Sequence, residues 1–180
     1  MKKHVYLCAV LALVAAAPTA SADDVPPPTG GAKLGVTPGG ILFSGNGQSL
    51  TGFGGDAWVG YELMHGQVGI TPLLDLGYEY FTGTPSAQLL FALPSVKLSY
   101  HTGSWIPAAM VGVGYGRTSS TPVSGGPSFS DNYFALSIGA ELAYQISPAF
   151  ALGVAVHYKP FLEPALNSFV DFGVSATFAL

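Results

Sequence analysis

The sequence predicts an all-β fold, an eight-stranded antiparallel up-and-down barrel that crosses a membrane through its strands. Three observations support this prediction. Eight segments alternate apolar with small or polar residues, the connections between them alternate between short and long, and only 9% of the residues are charged. A typical soluble domain has about 25% charged residues. A closed barrel leaves no sheet edge unpaired in lipid, so strands can cross a membrane in this form.

The start of the chain has the pattern of a secretory signal peptide. Two lysines precede an apolar run from Val5 to Ala17, and the small residues at 20–22 form a cleavage site. The only cysteine, Cys8, lies in this segment, so disulfides and thiolate metal sites are excluded from the mature chain. The predicted division is a signal peptide at 1–22, a Pro/Gly-rich periplasmic lead-in at 23–33, and an outer-membrane barrel at 34–180.

The charge balance excludes nucleic acid as a partner. Removal of the signal leaves four basic residues against ten acidic ones, a net charge of −6, and no basic patch. No apolar run after the signal is long enough to form a membrane helix. The mature chain therefore has too few charged residues to cover a surface that faces water. Because no membrane helix is available, strands are the elements expected to contact lipid.

Each predicted strand shows apolar residues at every second position, which indicates one apolar face. In chain order the strands are 34–43, 53–63, 68–80, 88–100, 105–115, 134–146, 150–159 and 169–180. In 88–100 the apolar side changes phase at Pro94, from Leu89, Phe91 and Leu93 to Val96, Leu98 and Tyr100. We expect a β-bulge there, and a similar slip at Gly39 and Gly40 in the first strand.

The connections divide into two classes by length. The short ones are 64–67, 101–104 and 147–149, and the longer ones are 44–51, 81–87, 117–131 and 160–167. Short periplasmic turns and longer external loops are typical of bacterial outer-membrane barrels. A hairpin within 117–131 would raise the strand count to ten.

Charged residues fall on the face opposite the apolar stripe of their strands. In a lipid-facing barrel this face lines the narrow lumen, where side chains fill the interior. The predicted lumen polar network consists of Asp56, Glu62, Asp75, Glu79, Lys97, Glu141, His157, Lys159 and Asp171. A soluble lipocalin-like calyx, the alternative with eight strands, would place its apolar residues inside and many more charges outside.

Aromatic residues cluster near both ends of the predicted strands, on the apolar face. Tyr and Trp prefer the two interfaces of a membrane, so we expect two girdles. The girdle at the short turns contains Tyr61, Tyr100, Trp105 and Tyr144, and the girdle at the long loops contains Tyr78, Tyr80, Tyr115 and Tyr158.

With its signal peptide, alternation, loop asymmetry and terminal stretch F-G-V-S-A-T-F-A-L, the chain resembles the small OmpA/OmpX-like outer-membrane barrel family over residues 34–180. The terminal stretch looks like the signal read by the barrel-assembly machinery. The resemblance implies a monomeric integral protein of the Gram-negative cell envelope. Its partners would be outer-membrane lipid and lipopolysaccharide, and the assembly machinery during biogenesis.

No catalytic residues, cofactor or metal site are predicted. His157 and Asp171 would lie on neighbouring strands, and Ser168 or Ser175 would complete a triad on paper. However, the chain lacks the His-x-Ser arrangement of lipid A deacylases, because Tyr158 and Lys159 follow His157. His65 and His101 occupy separate turns, so they do not form a ligand cluster.

The predicted function is a structural or surface-interaction role with a lumen filled by side chains. Loops on a rigid scaffold commonly bind ligands, so an extracellular ligand would contact 117–131 and 160–167. The second loop contains Phe161 and Leu162, which we expect to be exposed. The alternatives are a lipid A-modifying enzyme and a narrow porin-like channel.

Overall fold

The computed structural model describes residues 30–45, 48–82, 86–121, 129–162 and 168–180, and the signal segment 1–22 lies outside these ranges. The strands are β1 Gly31–Gly45, β2 Gln48–His65, β3 Val68–Thr82, β4 Ser86–Tyr100, β5 Trp105–Thr121, β6 Phe129–Ser147, β7 Phe150–Pro160 and β8 Ser168–Ala179. The described residues include no helix long and apolar enough to cross a membrane.

The strands form a closed antiparallel barrel in sequence order. Each strand pairs with the next, and β1 pairs with β8 from Lys33 opposite Ala179 to Ser44 opposite Ser168. The predicted fold class is therefore confirmed. The termini of the barrel and the turns at 66–67, 101–104 and 148–149 lie at one end, which we name the short-turn end. The connections 46–47, 83–85, 122–128 and 161–167 lie at the other, the outer end, and the first two of them are shorter than predicted.

The strands extend further than the alternation predicted. β1 begins at Gly31, which pairs with Glu62, so the last three residues of the predicted lead-in belong to the barrel. At the outer end, β5 and β6 stay paired from Arg117 opposite Asn132 to Ser120 opposite Phe129. Much of the predicted 117–131 loop is thus strand, because backbone pairing continues in water beyond the part of the barrel that needs an apolar face.

The predicted β-bulge at Pro94 is wrong. The β3–β4 register runs unbroken through Leu74 opposite Pro94, and Leu89, Phe91 and Leu93 all face the lumen. The outer half of β4 is therefore apolar on both faces. Polarity cannot reveal the phase of a strand whose two faces are alike.

The slip predicted at Gly39 and Gly40 is also wrong. β1 keeps one register with β2 and one with β8, and Ile41 is buried in the lumen. The register irregularity in the described strands lies between Gln145 and Ser147, next to the β6–β7 turn.

The outer half of the lumen is filled by apolar side chains, which we name the outer plug. Its buried members are Ile41, Phe81, Leu89, Phe91, Leu93, Tyr133, Ala135 and Phe169. Phe161 packs on the plug, with its ring centroid 4.4 Å from that of Tyr133 and 5.7 Å from that of Phe169. The predicted exposure of Phe161 is therefore wrong, because the ring turns inward to cover apolar surface, whereas Leu162 is 59% exposed.

The β1–β8 contact depends on two facing glycines, Gly39 and Gly173, at a close approach of the backbones. A Cβ at Gly39 would lie 2.1 Å from the Phe172 carbonyl oxygen, and one at Gly173 would lie 2.2 Å from the Pro38 carbonyl oxygen. Since backbone cannot move aside as a side chain can, Gly39→Val should lower the free energy of unfolding by about 3 kcal/mol, the upper end of typical overpacking costs. Urea titration of the refolded barrel in micelles measures this.

Gly40→Val is the matched control for that substitution. A Cβ at Gly40 would meet only the tip of the Phe172 ring, at 3.0 Å, so a small rotation of the ring relieves the contact. We expect its urea midpoint to stay close to that of the parent chain. Equal midpoints for the two valine variants would contradict the close-approach argument.

Candidate functional site

All nine residues of the predicted polar network have their side chains inside the barrel. Eight of them are buried and Glu141 is partly exposed. Side chains of neighbouring strand residues point to opposite faces of the barrel wall. Asp56, for instance, is buried in the lumen and the adjacent Ala57 is exposed on the outer face. The structure divides the nine into a central cluster and a group near the short-turn end.

Lys159 on β7 is the centre of the central cluster. Its Nζ donates to both carboxylate oxygens of Asp56, at 2.9 Å each. The same nitrogen lies 2.8 Å from Asp171 Oδ2 and 3.5 Å from Glu79 Oε1. One ammonium thus links carboxylates from β2, β3 and β8 across the lumen.

His157, two residues before Lys159, joins the same acids through one ring nitrogen. Its Nδ1 lies 2.9 Å from Asp171 Oδ1 and 3.1 Å from Asp56 Oδ2. The imidazole has room because Gly139 on β6 lies opposite, where a Cβ would be 2.1 Å from His157 Cδ2. Asp56, His157 and Asp171 offer ligand atoms that all lie within 4.8 Å of one another.

Asp75 on β3 differs from its neighbours in the cluster. Its side chain is fully buried, and neither carboxylate oxygen has a hydrogen-bond partner among the described residues. It lines a cavity together with Asp56 and His157. The central cluster therefore contains four carboxylates, those of Asp56, Asp75, Glu79 and Asp171, with Lys159 and His157 as their basic partners.

Near the short-turn end, Glu62 and Glu141 are the acids of two smaller networks. Glu62 lies 3.1 Å from both Lys33 Nζ and His101 Nε2, and it accepts a hydrogen bond from Ser99 Oγ at 2.8 Å. The sequence did not predict Lys33, Ser99 and His101 as lumen residues. Extending the β1 alternation back from Thr37 would have placed Lys33 inside.

Glu141 forms an ion pair with Lys97, whose Nζ also lies 4.7 Å from the centre of the Trp58 ring. Ser175 Oγ donates to Glu141 Oε1 at 2.9 Å. The Lys97–Glu141 pair lies between two cavities. One opens at the short-turn end beside Lys33, Glu62 and His101, the other adjoins Asp56, Asp75 and His157, and both are lined by Trp58, Lys97 and Glu141.

The outer plug borders the central cluster on the other side. Lys159 Nζ lies 3.9 Å from the centre of the Phe91 ring and 5.5 Å from that of Phe169. In the described part of the barrel, the charged half of the lumen thus faces cavities toward the short turns and apolar side chains toward the outer end.

The serine triad drawn from the sequence is not assembled. His157 and Asp171 do pair, but Ser175 donates to Glu141 instead. Ser168 pairs with Pro160, three residues along β8 from Asp171, a separation of about 10 Å. Neither Ser168 nor Ser175, the two serines considered as nucleophiles, therefore contacts the imidazole of His157.

The aromatic residues predicted as girdles lie on the outer face. At the short-turn end, the rings of Trp105 and Tyr144 are 5.1 Å apart. At the other girdle, Tyr115 contacts Phe134 at 4.6 Å and Tyr80 contacts Phe53 at 5.3 Å. Between them lies a belt of exposed aliphatic side chains that includes Val59, Leu76, Leu98, Val111, Val113, Leu152, Val154 and Val174. Such a belt between two girdles is the surface expected to meet hydrocarbon.

Comparisons with known proteins agree with this architecture. Residues 7–178 match the model of the family described as outer membrane protein beta-barrel domain. No curated protein sequence matches the chain. Among solved structures, Neisserial surface protein A is similar with a TM-score of 0.68 at 14% identity, covering 84% of this chain and 99% of that one.

Two other solved outer-membrane barrels are similar in fold. Ail of Yersinia pestis, solved with the heparin analogue sucrose octasulfate, has a TM-score of 0.60 at 14% identity, covering 83% of this chain and 97% of that one. The outer membrane enzyme PagL has a TM-score of 0.50 at 18% identity, covering 83% and 99%. At these identities the likeness shows the shared fold. The family match spans nearly the whole chain, so this protein belongs to the outer membrane protein beta-barrel domain family and is an integral protein of the bacterial outer membrane.

Proposed function

We propose that this chain is a non-catalytic outer-membrane barrel that binds a ligand at the cell surface through the outer end of the β5–β6 hairpin. The observation behind this proposal is the paired ribbon beyond the girdle residues Tyr115 and Phe134. It continues in register from Arg117 opposite Asn132 to Ser120 opposite Phe129. On its other side β5 pairs with β4 here, from Leu90 opposite Arg117 to Ser86 opposite Thr121, so the ribbon is held by a third strand.

The ribbon presents polar side chains on an ordered backbone. Its exposed members are Arg117, Ser119, Ser130, Asp131 and Asn132. The Thr118 hydroxyl lies 3.5 Å from the Asp131 carbonyl oxygen, and Arg117 Nη2 lies 3.5 Å from Ser130 Oγ. Because the strands are already paired, binding a ligand here costs less conformational entropy than ordering a free loop.

The charge of this surface indicates which ligands fit it. Arg117 is the only arginine of the chain, and the lysines after the predicted signal are Lys33, Lys97 and Lys159, all in the lumen. A polyanion such as the sucrose octasulfate found with Ail needs several cations, which this rim lacks. Hydroxyl and amide groups instead suit an uncharged, hydrogen-bonding ligand such as a neutral oligosaccharide.

The lumen supports the non-catalytic part of the proposal. The His157–Asp171 pair lies inside the barrel beneath the outer plug, and the belt that would meet a lipid substrate is aliphatic. The plug also argues against the channel alternative, since Phe91, Leu93 and Phe169 fill the path beyond Lys159 without polar groups.

A shortened hairpin tests the proposal. Residues 118–131 are replaced by Asn-Gly, which joins Arg117 to Asn132 through a two-residue turn. Nanodiscs with the parent and shortened barrels are applied to an array of neutral and sulfated oligosaccharides. We expect the parent to bind a subset of the neutral glycans and the shortened barrel to lose at least tenfold in affinity, because the polar ribbon is gone.

Two controls separate this result from a general effect. Leu162→Ser changes an exposed residue of the β7–β8 connection and should leave glycan binding unchanged. Both variants should show the same gel mobility shift on boiling as the parent, which reports a folded barrel. Retained binding in the shortened barrel, no neutral glycan bound by the parent, or tight binding of sucrose octasulfate each contradicts the proposal.

A further inference from the structure

The central lumen cluster contains more negative charge than its own basic groups balance. Four carboxylates face two basic side chains, Lys159 and His157, so two carboxylates have no balancing charge even when both bases are protonated. Burial makes an unbalanced charge costly, because the carboxylates lose their hydration without a full set of partners.

We propose that this cluster binds one divalent metal ion of the zinc or manganese class, held by Asp56, His157 and Asp171 with Asp75 beside it. The three named ligands come from β2, β7 and β8 and are all buried. One imidazole nitrogen with two or three carboxylate oxygens is a donor set that suits such ions. A divalent ion that replaces the Nδ1 proton of His157 reduces an excess of two negative charges to one.

The distances fit a coordination sphere. Nδ1 of His157 is 2.9 Å from Asp171 Oδ1 and 3.1 Å from Asp56 Oδ2. In a tetrahedral zinc site with bonds of about 2.0–2.1 Å, ligand atoms are roughly 3.3 Å apart. The ion replaces the Nδ1 proton of the imidazolium, and the imidazole keeps its Nε2 proton and binds as a neutral ligand. The displaced proton leaves to solvent, and the ligands move outward by a few tenths of an ångström.

Asp75 is the independent observation that points to a ligand. It is on β3, outside the set of three, and it lines the same cavity as Asp56 and His157. Both of its oxygens are buried without a hydrogen-bond partner among the described residues. An ion bound by Asp56 lies beside this carboxylate and gives it a close cationic partner, where no described side chain donates a hydrogen bond to it.

The arrangement of the lumen indicates that the ion enters from the periplasmic side. The cavity beside Asp75 and the cavity open at the short-turn end share Trp58, Lys97 and Glu141. The outer plug blocks the opposite direction. An ion therefore enters past the Lys97–Glu141 pair, whose charges move apart to admit it.

Calorimetry with Zn²⁺ tests the site in the detergent-refolded mature chain. All measurements use a His65→Ala background, which removes the exposed imidazole at the β2–β3 turn so that the heat reports the lumen alone. We expect one ion per chain. Asp75→Asn and Asp171→Asn should each weaken binding at least tenfold, while Asp131→Asn, which changes an exposed acid of the outer rim, leaves it unchanged.

The two tryptophans locate the ion. Trp58 lines the cavity beside the cluster, whereas Trp105 faces outward next to Tyr144. Paramagnetic Co²⁺ should quench the fluorescence of a Trp105→Phe chain, which retains Trp58, and leave a Trp58→Phe chain unquenched. The visible absorption bands of the bound Co²⁺ should show that a nitrogen atom is among its ligands.

Several outcomes would overturn the site. They are an absence of saturable Zn²⁺ heat, equal affinity in Asp75→Asn, and equal quenching of the two tryptophans. Asp75→Asn removes no ion pair seen in the barrel, so its heat-dependent gel shift should match that of the parent. If Asp171→Asn fails to fold, the Asp75→Asn result decides alone, and glycan binding by the outer hairpin is unaffected either way.

Discussion

Replacing Lys159 with methionine is expected to lower the free energy of unfolding by about 3–5 kcal/mol, the usual cost of removing one partner from a buried ion pair. Lys159 is 1% exposed and is the ammonium shared by Asp56, Glu79 and Asp171. Methionine fills a similar volume beside Phe91 but leaves three acids without their cation. Urea titration of the refolded barrel in micelles, followed by tryptophan fluorescence, gives the free energy.

Lys33→Met is the matched control. Lys33 has one acidic partner, Glu62, and its side chain is 16% exposed at the short-turn end. A partly solvated pair of this kind contributes about 0–1 kcal/mol, so the two lysines should differ severalfold in effect. Adding Asp171→Asn to Lys159→Met should restore part of the loss, because it removes one unbalanced charge. Equal effects of the two methionine substitutions would contradict the central position of Lys159.

The direction of the lumen acids could be predicted because lipid penalises the alternative so strongly. Asp75 and Glu79 are four residues apart on β3 and face the lumen. The residues that alternate with them, Leu74, Leu76, Tyr78 and Tyr80, face outward. Turning that strand over would place two carboxylates in hydrocarbon and move Leu74, Leu76 and two tyrosines into the lumen, with only Leu73 and Phe81 gained for the lipid face. This cost fixes the phase of a strand close to its charged residues.

The outer half of β4 could not be predicted in the same way. Leu89, Phe91 and Leu93 face the lumen, and Leu90, Ala92 and Pro94 face lipid. Both sets are apolar, so neither orientation costs more by polarity alone. Only the pairing with β3 and β5, in one unbroken register, places the first set inside.

The contacts of the central cluster depend on barrel closure. Asp56 and Lys159 are 103 residues apart and on strands that do not pair with each other, since β8 and β1 separate β7 from β2. Their meeting requires the strand count, the tilt and the narrow lumen together. Alternation along a single strand gives the side of each residue but not its height in the barrel. The sequence therefore predicted His157 beside Asp171, which is confirmed, but not the approach of Asp56 from β2.

The two halves of the lumen differ in the interactions that fill them. The outer plug buries apolar surface with tight ring contacts, such as Phe81 against Phe169 at 6.1 Å. The inner half pairs charges that water can reach from the short-turn end. In the part of the barrel that the structure describes, the outer plug lies between the β5–β6 hairpin and the charged side chains of the lumen. The hairpin and the lumen are therefore proposed to act independently.

The belt of exposed aliphatic residues leads to the second large effect. Val154→Arg should cost about 2–4 kcal/mol in lipid vesicles, the penalty measured for arginine near the bilayer midplane. Val154 is 51% exposed, midway along β7, and it pairs with Leu142 and Val174 on the same outer face. The guanidinium there must stay in hydrocarbon or thin the bilayer, and both are costly.

Ile146→Arg supplies the depth control, because Ile146 is just as exposed, at 57%, but lies next to the β6–β7 turn. An arginine near the interface costs about 0–1 kcal/mol. On a surface in contact with water, both substitutions would stay within about 0.5 kcal/mol. A large penalty at Val154 together with a small one at Ile146 therefore reports hydrocarbon at the middle of the barrel, and equal small penalties would contradict a lipid-facing belt.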